Sequence, residues 1–288
     1  MAAVLDGIAR YVVPRTLDEA LGVLAAGGVS ILAGGTDLMP QARAGRVRLQ
    51  PVLINIRRLP ELTGIERAGG GIRIGALVTI TALRDSALVR ERLHLLWQAC
   101  DHFASDQIRN VATVGGNLCN ASPAGDTLIP LLALGASAVL AATGGTRRVP
   151  LGEFFTGPGR SCRRPEELLV AVEVPEPPAG FAGVFCKHGT RPALDISTIS
   201  LAVGARRDGT VLRDVRIACG AVAPTPIRAL QAEAVVEGRA ADAATIAAAA
   251  QAALADIHPI SDVRASDWYR REMVRNLLQR ALSHVGQL

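Results

Sequence analysis

Two diglycine segments, each joined to an apolar run, constrain the fold of this chain more than any other feature. The first, AGGTDL at residues 33–38, follows an apolar run that predicts a short buried strand. The second, TVGGNLCNASPAGD at residues 113–126, precedes the apolar helix-forming run TLIPLLAL. Glycine lets the backbone curl and leaves room beside it. Both segments therefore predict places where another group approaches the backbone closely.

The residues near the diglycine pairs indicate what that group is. Consecutive N–H groups without Cβ atoms in the way form anion nests, and Thr36, Thr113, Asn117 and Ser122 add polar side chains. The spacing matches neither the P-loop, which needs a Lys after its last glycine, nor the GxGxxG turn of Rossmann domains. One diglycine pair is more often only a tight turn. Two pairs favour a phosphorylated cofactor held between two loops.

Local signals predict a small α/β unit at the start of the chain. Thr16 and Glu19 form a capping box ahead of a helix, and Gly27 and Gly28 end it. A strand over residues 30–33 leads into the first diglycine segment, and PVLINI predicts a second strand.

The middle of the chain predicts further strands and helices. Residues 71–80, GIRIGALVTI, predict a strand, a turn and a strand, and residues 86–103 predict a helical region. Strands are expected near 137–142 and 168–174. The Pro-rich segment EVPEPPAG, residues 173–180, predicts a domain boundary.

Beyond this boundary the order of elements changes. Strands predicted over 198–206 and 214–221 precede an Ala-rich helix over 240–257 and an amphipathic helix over 267–282. Strands followed by helices indicate an α+β domain. The expected domains are residues 1–60, 61–176 and 180–288.

Composition narrows the function classes. The chain has 288 residues and a formal net charge of +5, and Lys187 is its one lysine. The arginines are scattered in pairs, which is typical of a solvated surface and not of a nucleic-acid site. The five cysteines include no CxxC pair, so no zinc or iron–sulfur site is predicted, and free thiols in the cytosol are expected. No signal peptide and no membrane span are indicated.

The ordered set of motifs resembles the FAD-binding medium subunit of the molybdenum hydroxylases, which include xanthine dehydrogenase, carbon monoxide dehydrogenase and 4-hydroxybenzoyl-CoA reductase. The resemblance covers essentially the full chain. It rests on ILAGGTDLMP, FASDQIRNVATVGGNLCNASPAGDTLIPLLALGA, FFTGPGR, PEELLVAVEVP, KHGTRPALDISTIS, CGAVAPTPIRA and ISDVRASDWYRREMVRNLLQRAL.

The resemblance implies an α+β chain with a PCMH-type FAD-binding fold of two α/β subdomains and a C-terminal domain like that of the carbon monoxide dehydrogenase flavoprotein. FAD is expected to lie extended between the two subdomains. The implied diphosphate contacts and their neighbours are Leu32, Ala33, Gly34, Gly35, Thr36, Asp37 and Leu38. The implied second wall and flavin surroundings are Phe103, Thr113, Gly115, Gly116, Asn117, Leu118, Cys119, Ser122, Asp126, Leu169, Lys187 and Asp195.

Several of these residues have an ordinary structural alternative. Phe103 and Leu169 are also expected as plain core residues, and Cys119 as a small packing residue without thiol chemistry. Asp126 is a candidate cap for the helix that follows it. Lys187 has independent support, because arginine replaces lysine everywhere else, and a compact ammonium would stabilise negative charge on a reduced flavin.

The resemblance implies electron transfer and not substrate oxidation by this chain. Electrons are expected from two [2Fe-2S] clusters in a small partner subunit, a large partner subunit is expected to hold the molybdopterin cofactor, and NAD or another molecule accepts the electrons. A dimer of heterotrimers is the implied assembly. No catalytic side chain and no metal site are assigned to this chain. The alternatives are a self-sufficient FAD-dependent oxidase of the vanillyl-alcohol type, a scaffold without flavin and a flavin-free NAD-binding reductase.

Overall fold

The computed structural model describes residues 7–288, and its first unit is a three-stranded parallel sheet with two helices. The sheet order is β1-β3-β2, with both β1 and β2 pairing in parallel with β3. The Thr16 hydroxyl accepts from the Glu19 amide at 3.2 Å, so the predicted cap begins the first helix. The elements are β1 (Arg10–Val12), α1 (Leu17–Ala25), β2 (Val29–Leu32), α2 (Leu38–Arg43) and β3 (Val52–Asn55).

A five-stranded antiparallel sheet forms the second unit. Its order is β4-β5-β10-β6-β7. Its strands are β4 (Ile65–Ala68), β5 (Gly71–Gly75), β6 (Ser137–Ala142), β7 (Gly145–Pro150) and β10 (Leu168–Pro175), and a separate hairpin is formed by β8 (Phe155–Gly157) and β9 (Arg160–Ser161). Its helices are α3 (Ile80–Asp85), α4 (Ala87–Arg92), α5 (His94–Asp101), α6 (Asp106–Arg109), α7 (Val114–Asn120), α8 (Leu128–Ala133) and α9 (Leu151–Phe154).

Two local predictions in this unit are wrong. Residues 71–80 are not strand–turn–strand, because only β5 is a strand and α3 begins at Ile80, where the Thr79 hydroxyl accepts from the Ala82 amide at 3.1 Å. The second diglycine segment is not all loop, since Val114–Asn120 is helical. Thr113 caps this helix by accepting from the Gly116 amide at 3.0 Å. A good cap and tertiary contacts outweigh the poor helix propensity of glycine.

The C-terminal unit is an antiparallel four-stranded sheet with three helices against it. Its strands lie in chain order, β11-β12-β13-β14. The two predicted strands are present as β12 and β13, whereas β11, β14 and the first of the three helices were not predicted. The elements are β11 (Phe181–His188), β12 (Ile199–Asp208), β13 (Val211–Gly220), β14 (Ile227–Arg228), α10 (Leu230–Val236), α11 (Ala243–Asp256) and α12 (Asp267–Val285). The predicted α+β class is confirmed.

The second and third units share a hydrophobic core. Phe185, Ala202 and Ala218 of the C-terminal sheet pack in the same buried cluster as the residues of α5 and α8. The three sheets fall within the three expected domain ranges, whose boundaries stay a prediction. The Pro-rich boundary segment is shorter than expected, because β10 pairs with β5 as far as Pro175. Within residues 7–288, no helix has the length and apolar character needed to cross a membrane.

Gly75 gives a direct test of the packing that supports the second unit. A Cβ atom at this position would lie 2.2 Å from the Leu62 carbonyl oxygen. We expect Gly75→Ala to lower the free energy of unfolding by about 2 kcal/mol, because the backbone must shift. The control is Gly144→Ala in the exposed β6–β7 turn, where nothing lies within 4 Å. Denaturant unfolding measures both, and equal stabilities would contradict the packing.

Candidate flavin site

A cleft of about 610 Å³ lies between the first two units. One wall comes from β2 and the segment that leads into α2, and the other comes from α7, the β8–β9 hairpin and the start of β10. The predicted residues that line it are Ala33, Gly34, Gly35, Thr36, Asp37, Leu38, Phe103, Thr113, Gly115, Gly116, Asn117, Cys119 and Leu169. Thus the structure brings both diglycine segments to one site.

The first diglycine segment has the geometry of an anion nest. It follows the carboxyl end of β2, and Gly35 has a φ of +74°, in the left-handed region that favours glycine. The backbone N–H groups of Gly34, Gly35 and Thr36 have no hydrogen-bond partner among residues 7–288. Three successive N–H groups on a cleft wall suit the oxygens of a diphosphate.

The two walls meet at Gly34. A Cβ atom there would lie 2.2 Å from the Val111 carbonyl oxygen, just ahead of α7. A residue with a side chain would therefore push the walls apart.

The second diglycine segment is not an anion nest, which corrects the sequence-based interpretation. The Gly115 amide donates to the Ala76 carbonyl at 2.9 Å, and the Gly116 amide donates to the Thr113 hydroxyl. These donors are already used inside the protein. Gly115 instead permits close packing, since its Cβ would lie 2.7 Å from Ala76. Gly116 is exposed on the cleft side of the helix, where a small residue leaves room for a ligand.

Polar side chains connect the walls. The Asn120 side-chain amide donates to the Asp37 carboxylate at 3.2 Å, and the Gln41 side-chain amide donates to Asn120 Oδ1 at 2.9 Å. Asn117 accepts from the Thr127 hydroxyl at 2.7 Å. Gln41 and Asn120 line the cleft but were not predicted as site residues, although Asn120 lies inside the second diglycine segment.

Two arginines of the hairpin region were also missed. Arg160 and Arg163 line the cleft and, with Asp37, are its charged residues within the part of the chain that the structure describes. Their only sequence signal is a position in or next to FFTGPGR. Two guanidinium groups give the cleft a net positive charge, which favours an anionic ligand.

Phe103, Leu169 and Cys119 supply apolar surface. Leu169 is buried, Phe103 is partly buried against the same core cluster, and all three line the cleft. Burial raises the pKa of the Cys119 thiol to about 11, so it is protonated at neutral pH and is not a nucleophile. A nest of free N–H groups, positive charge and apolar side chains together fit a dinucleotide cofactor with a flat ring.

Six predicted residues do not line the cleft. They are Leu32, Leu118, Ser122, Asp126, Lys187 and Asp195. Asp195 accepts from the amide and the hydroxyl of Thr190, and these bonds lower the pKa of its carboxyl to about 2. It therefore organises its own loop.

Asp126 and Lys187 form a buried ion pair between the second and third units. Lys187 Nζ lies 2.6 Å from Asp126 Oδ2, and the Ser197 hydroxyl donates to the other carboxylate oxygen at 2.7 Å. Burial raises the pKa of Asp126, and Lys187 and Ser197 oppose that rise. The helix-cap prediction for Asp126 is wrong, because Thr127 is the residue at the N-cap of α8 and no side chain caps it. The Asp126 carboxylate instead binds Lys187 and Ser197, which are distant in sequence.

Between residues 7 and 288, no group of three or more His, Cys, Asp and Glu side chains is placed to hold a metal ion. All five cysteines are free.

Comparison with known proteins identifies the family. Residues 7–177 match the model of the FAD binding domain in molybdopterin dehydrogenase, and residues 185–285 match that of the CO dehydrogenase flavoprotein C-terminal domain. The putative xanthine dehydrogenase FAD-binding subunit XdhB of Escherichia coli (strain K12) is 36% identical, with 96% of each chain covered.

Solved structures agree with this match. A chain of carbon monoxide dehydrogenase from Hydrogenophaga pseudoflava superposes with a TM-score of 0.92 at 34% identity, with 96% of each chain covered. A chain of quinoline 2-oxidoreductase from Pseudomonas putida 86 gives a TM-score of 0.90 at 29% identity, again over 96% of each chain. The predicted resemblance and the FAD cofactor are confirmed. The chain therefore belongs to the family of FAD-binding subunits of molybdenum-dependent dehydrogenases, and it is an oxidoreductase subunit.

Proposed function

We propose that this chain is the FAD-carrying electron-transfer subunit of a molybdenum-dependent dehydrogenase. It receives electrons from [2Fe-2S] clusters of a small partner subunit and passes them to NAD or another acceptor. A large partner subunit holds the molybdopterin cofactor, and the assembly is a dimer of heterotrimers in the cytosol. The observation that carries the proposal is the row of free N–H groups at Gly34, Gly35 and Thr36 in a positively charged cleft.

The names of relatives support the partners. Similar chains are called the medium chain of carbon monoxide dehydrogenase in Hydrogenophaga pseudoflava and of glyceraldehyde dehydrogenase in Sulfolobus acidocaldarius, each 33% identical. A medium chain implies larger and smaller companions. Among residues 7–288, no group of three or more His, Cys, Asp and Glu side chains is placed to hold a metal ion, which supports assigning the iron–sulfur clusters to another subunit.

The residues that line the cleft have separate tasks in this function. The amides of residues 34–36 bind the diphosphate oxygens, and Arg160 and Arg163 balance its negative charge. Phe103 and Leu169 provide apolar surface for the ring and exclude water from it. When bound, FAD supplies the exchange between single-electron and two-electron transfer. The direct contacts expected from Asp126, Lys187 and Asp195 stay predictions.

An absorption spectrum tests the division of cofactors among subunits. We expect the purified chain alone to show the visible bands of oxidised flavin, because the complete cleft lies within it. Iron–sulfur bands are expected only after the partner subunits are added. A colourless chain that does not take up added FAD would contradict the proposal, and so would iron–sulfur bands from the chain alone.

Gly116 tests whether the cleft is the flavin site. We expect Gly116→Val to raise the dissociation constant of FAD by at least about tenfold, because the added side chain fills space on the cleft side of α7. Fluorescence titration of the chain freed of flavin measures this.

The matched control is Gly22→Val, which makes the same change at an exposed helical position with nothing within 4 Å. Both substitutions lose similar helix propensity, but a Cβ atom at residue 116 would also lie 2.9 Å from the capping Thr113 hydroxyl. Unfolding of both variants is therefore measured as well, and a loss of FAD affinity in a variant that is still folded reports on the cleft. Equal FAD affinity in the two variants would contradict the location of the site.

A further inference from the structure

The turn at residues 102–105 places Phe103 on the cleft wall, and cationic side chains hold its backbone. Arg109 Nη1 donates to the carbonyl oxygens of Phe103 and Ala104, the latter at 3.0 Å. Lys187 Nζ donates to the His102 carbonyl at 3.4 Å. Three successive carbonyl groups of one short turn are therefore bound by charged donors, which make stronger hydrogen bonds than neutral ones.

The turn has a backbone conformation that needs such support. Ala104 has a φ of +38°, in the left-handed region that residues with a Cβ atom rarely adopt. This residue directly follows Phe103, so its conformation sets the direction in which the chain continues from Phe103 to α6. A conformation of this kind persists only when the surroundings hold it in place.

Arg109 is itself held against the turn and not extended into solvent. Its side chain is only 12% exposed, and its Nη2 lies 2.5 Å from Asp106 Oδ1. The Nε atom is buried without a hydrogen-bond partner among the described residues. Arginine is almost never buried unless it is paired, so this placement has a cost that the bonds to the turn offset.

The ion pair with Asp106 does not explain the position of Arg109. Asp106 is 71% exposed, and exposed ion pairs contribute little. Arg84 Nη1 donates to the same Asp106 oxygen at 3.3 Å but makes no hydrogen bond to the carbonyls of the turn. Arg109 therefore differs from Arg84 in its hydrogen bonds to the carbonyl groups of Phe103 and Ala104.

We infer that Arg109 is a positioning residue of the flavin site, which fixes the turn and so sets the Phe103 ring on the cleft wall. The inference rests on the proposed function, because it assigns the ring a flavin to contact. Arg109 contacts the cofactor only through Phe103. Its loss is therefore expected to matter only while the Phe103 ring is present.

A double-mutant cycle in the full chain tests this, with FAD as the titrated probe. We expect Arg109→Gln to raise the FAD dissociation constant roughly tenfold, and the control Arg84→Gln to change it less than about twofold. In a Phe103→Ala background, Arg109→Gln is expected to cause no further loss. A loss of equal size in both backgrounds, or no loss in either, would overturn the inference.

Amide hydrogen exchange without FAD gives a second measure. We expect faster exchange over residues 102–105 in Arg109→Gln than in Arg84→Gln, and unchanged exchange would overturn the inference. If Arg109→Gln does not fold, Arg109→Lys is measured in its place. We expect this variant to raise the FAD dissociation constant about threefold, because a single ammonium group replaces the planar guanidinium that binds two carbonyl groups. If Arg109→Lys showed the FAD affinity and the amide exchange rates of the wild type, the inference would also be overturned. Failure of wild type and Arg84→Gln to bind FAD would instead contradict the proposed function.

Discussion

The backbone of Gly34 packs directly against the Val111 carbonyl group and so joins the two walls of the cleft. The site depends on this contact. Because no Cβ intervenes, the segment after β2 lies directly against the segment that precedes α7. The contact between Gly115 and Ala76 does the same on the other side of the second wall. Close backbone packing thus fixes the width of the cleft, and the pair formed by Asp37 and Asn120 adds directional polar bonding.

The sequence predicted elements whose signals are local. The strand at 137–142 and the start of α1 at the Thr16 cap are both present, because a short apolar run and a helix cap are signals within a few residues. The prediction of a second anion nest at the second diglycine segment was wrong, since Gly115 serves tertiary packing and not turn geometry. The prediction that Asp126 caps a helix was also wrong, because its carboxylate pairs with Lys187, which lies 61 residues away in the sequence. Long-range pairs of this kind leave no trace in local spacing.

The site itself was predicted more from the resemblance than from physical signals. Physical reasoning reached a phosphorylated cofactor between two loops, and only one of the two loops has free N–H groups. Arg160 and Arg163 were missed because an arginine-rich composition hides the arginines that line the cleft among the many others. Many arginines here do structural work, as Arg270 shows: it is 4% exposed and binds the Asp262 carboxylate at 2.9 Å. The expectation of a merely solvated arginine surface is therefore too simple.

The arrangement of hydrogen-bond acceptors around residue 187 explains why the one lysine of the chain lies there. Lys187 lies between the Asp126 carboxylate and the His102 carbonyl, in a space left where the second and third units pack together. A compact ammonium with three donors satisfies acceptors that lie in different directions, whereas a planar guanidinium needs acceptors in one plane. At Arg147 the acceptors are the two oxygens of the Glu167 carboxylate, which suit the planar fork. Acceptor geometry therefore distinguishes the Lys187 position from the Arg147 position.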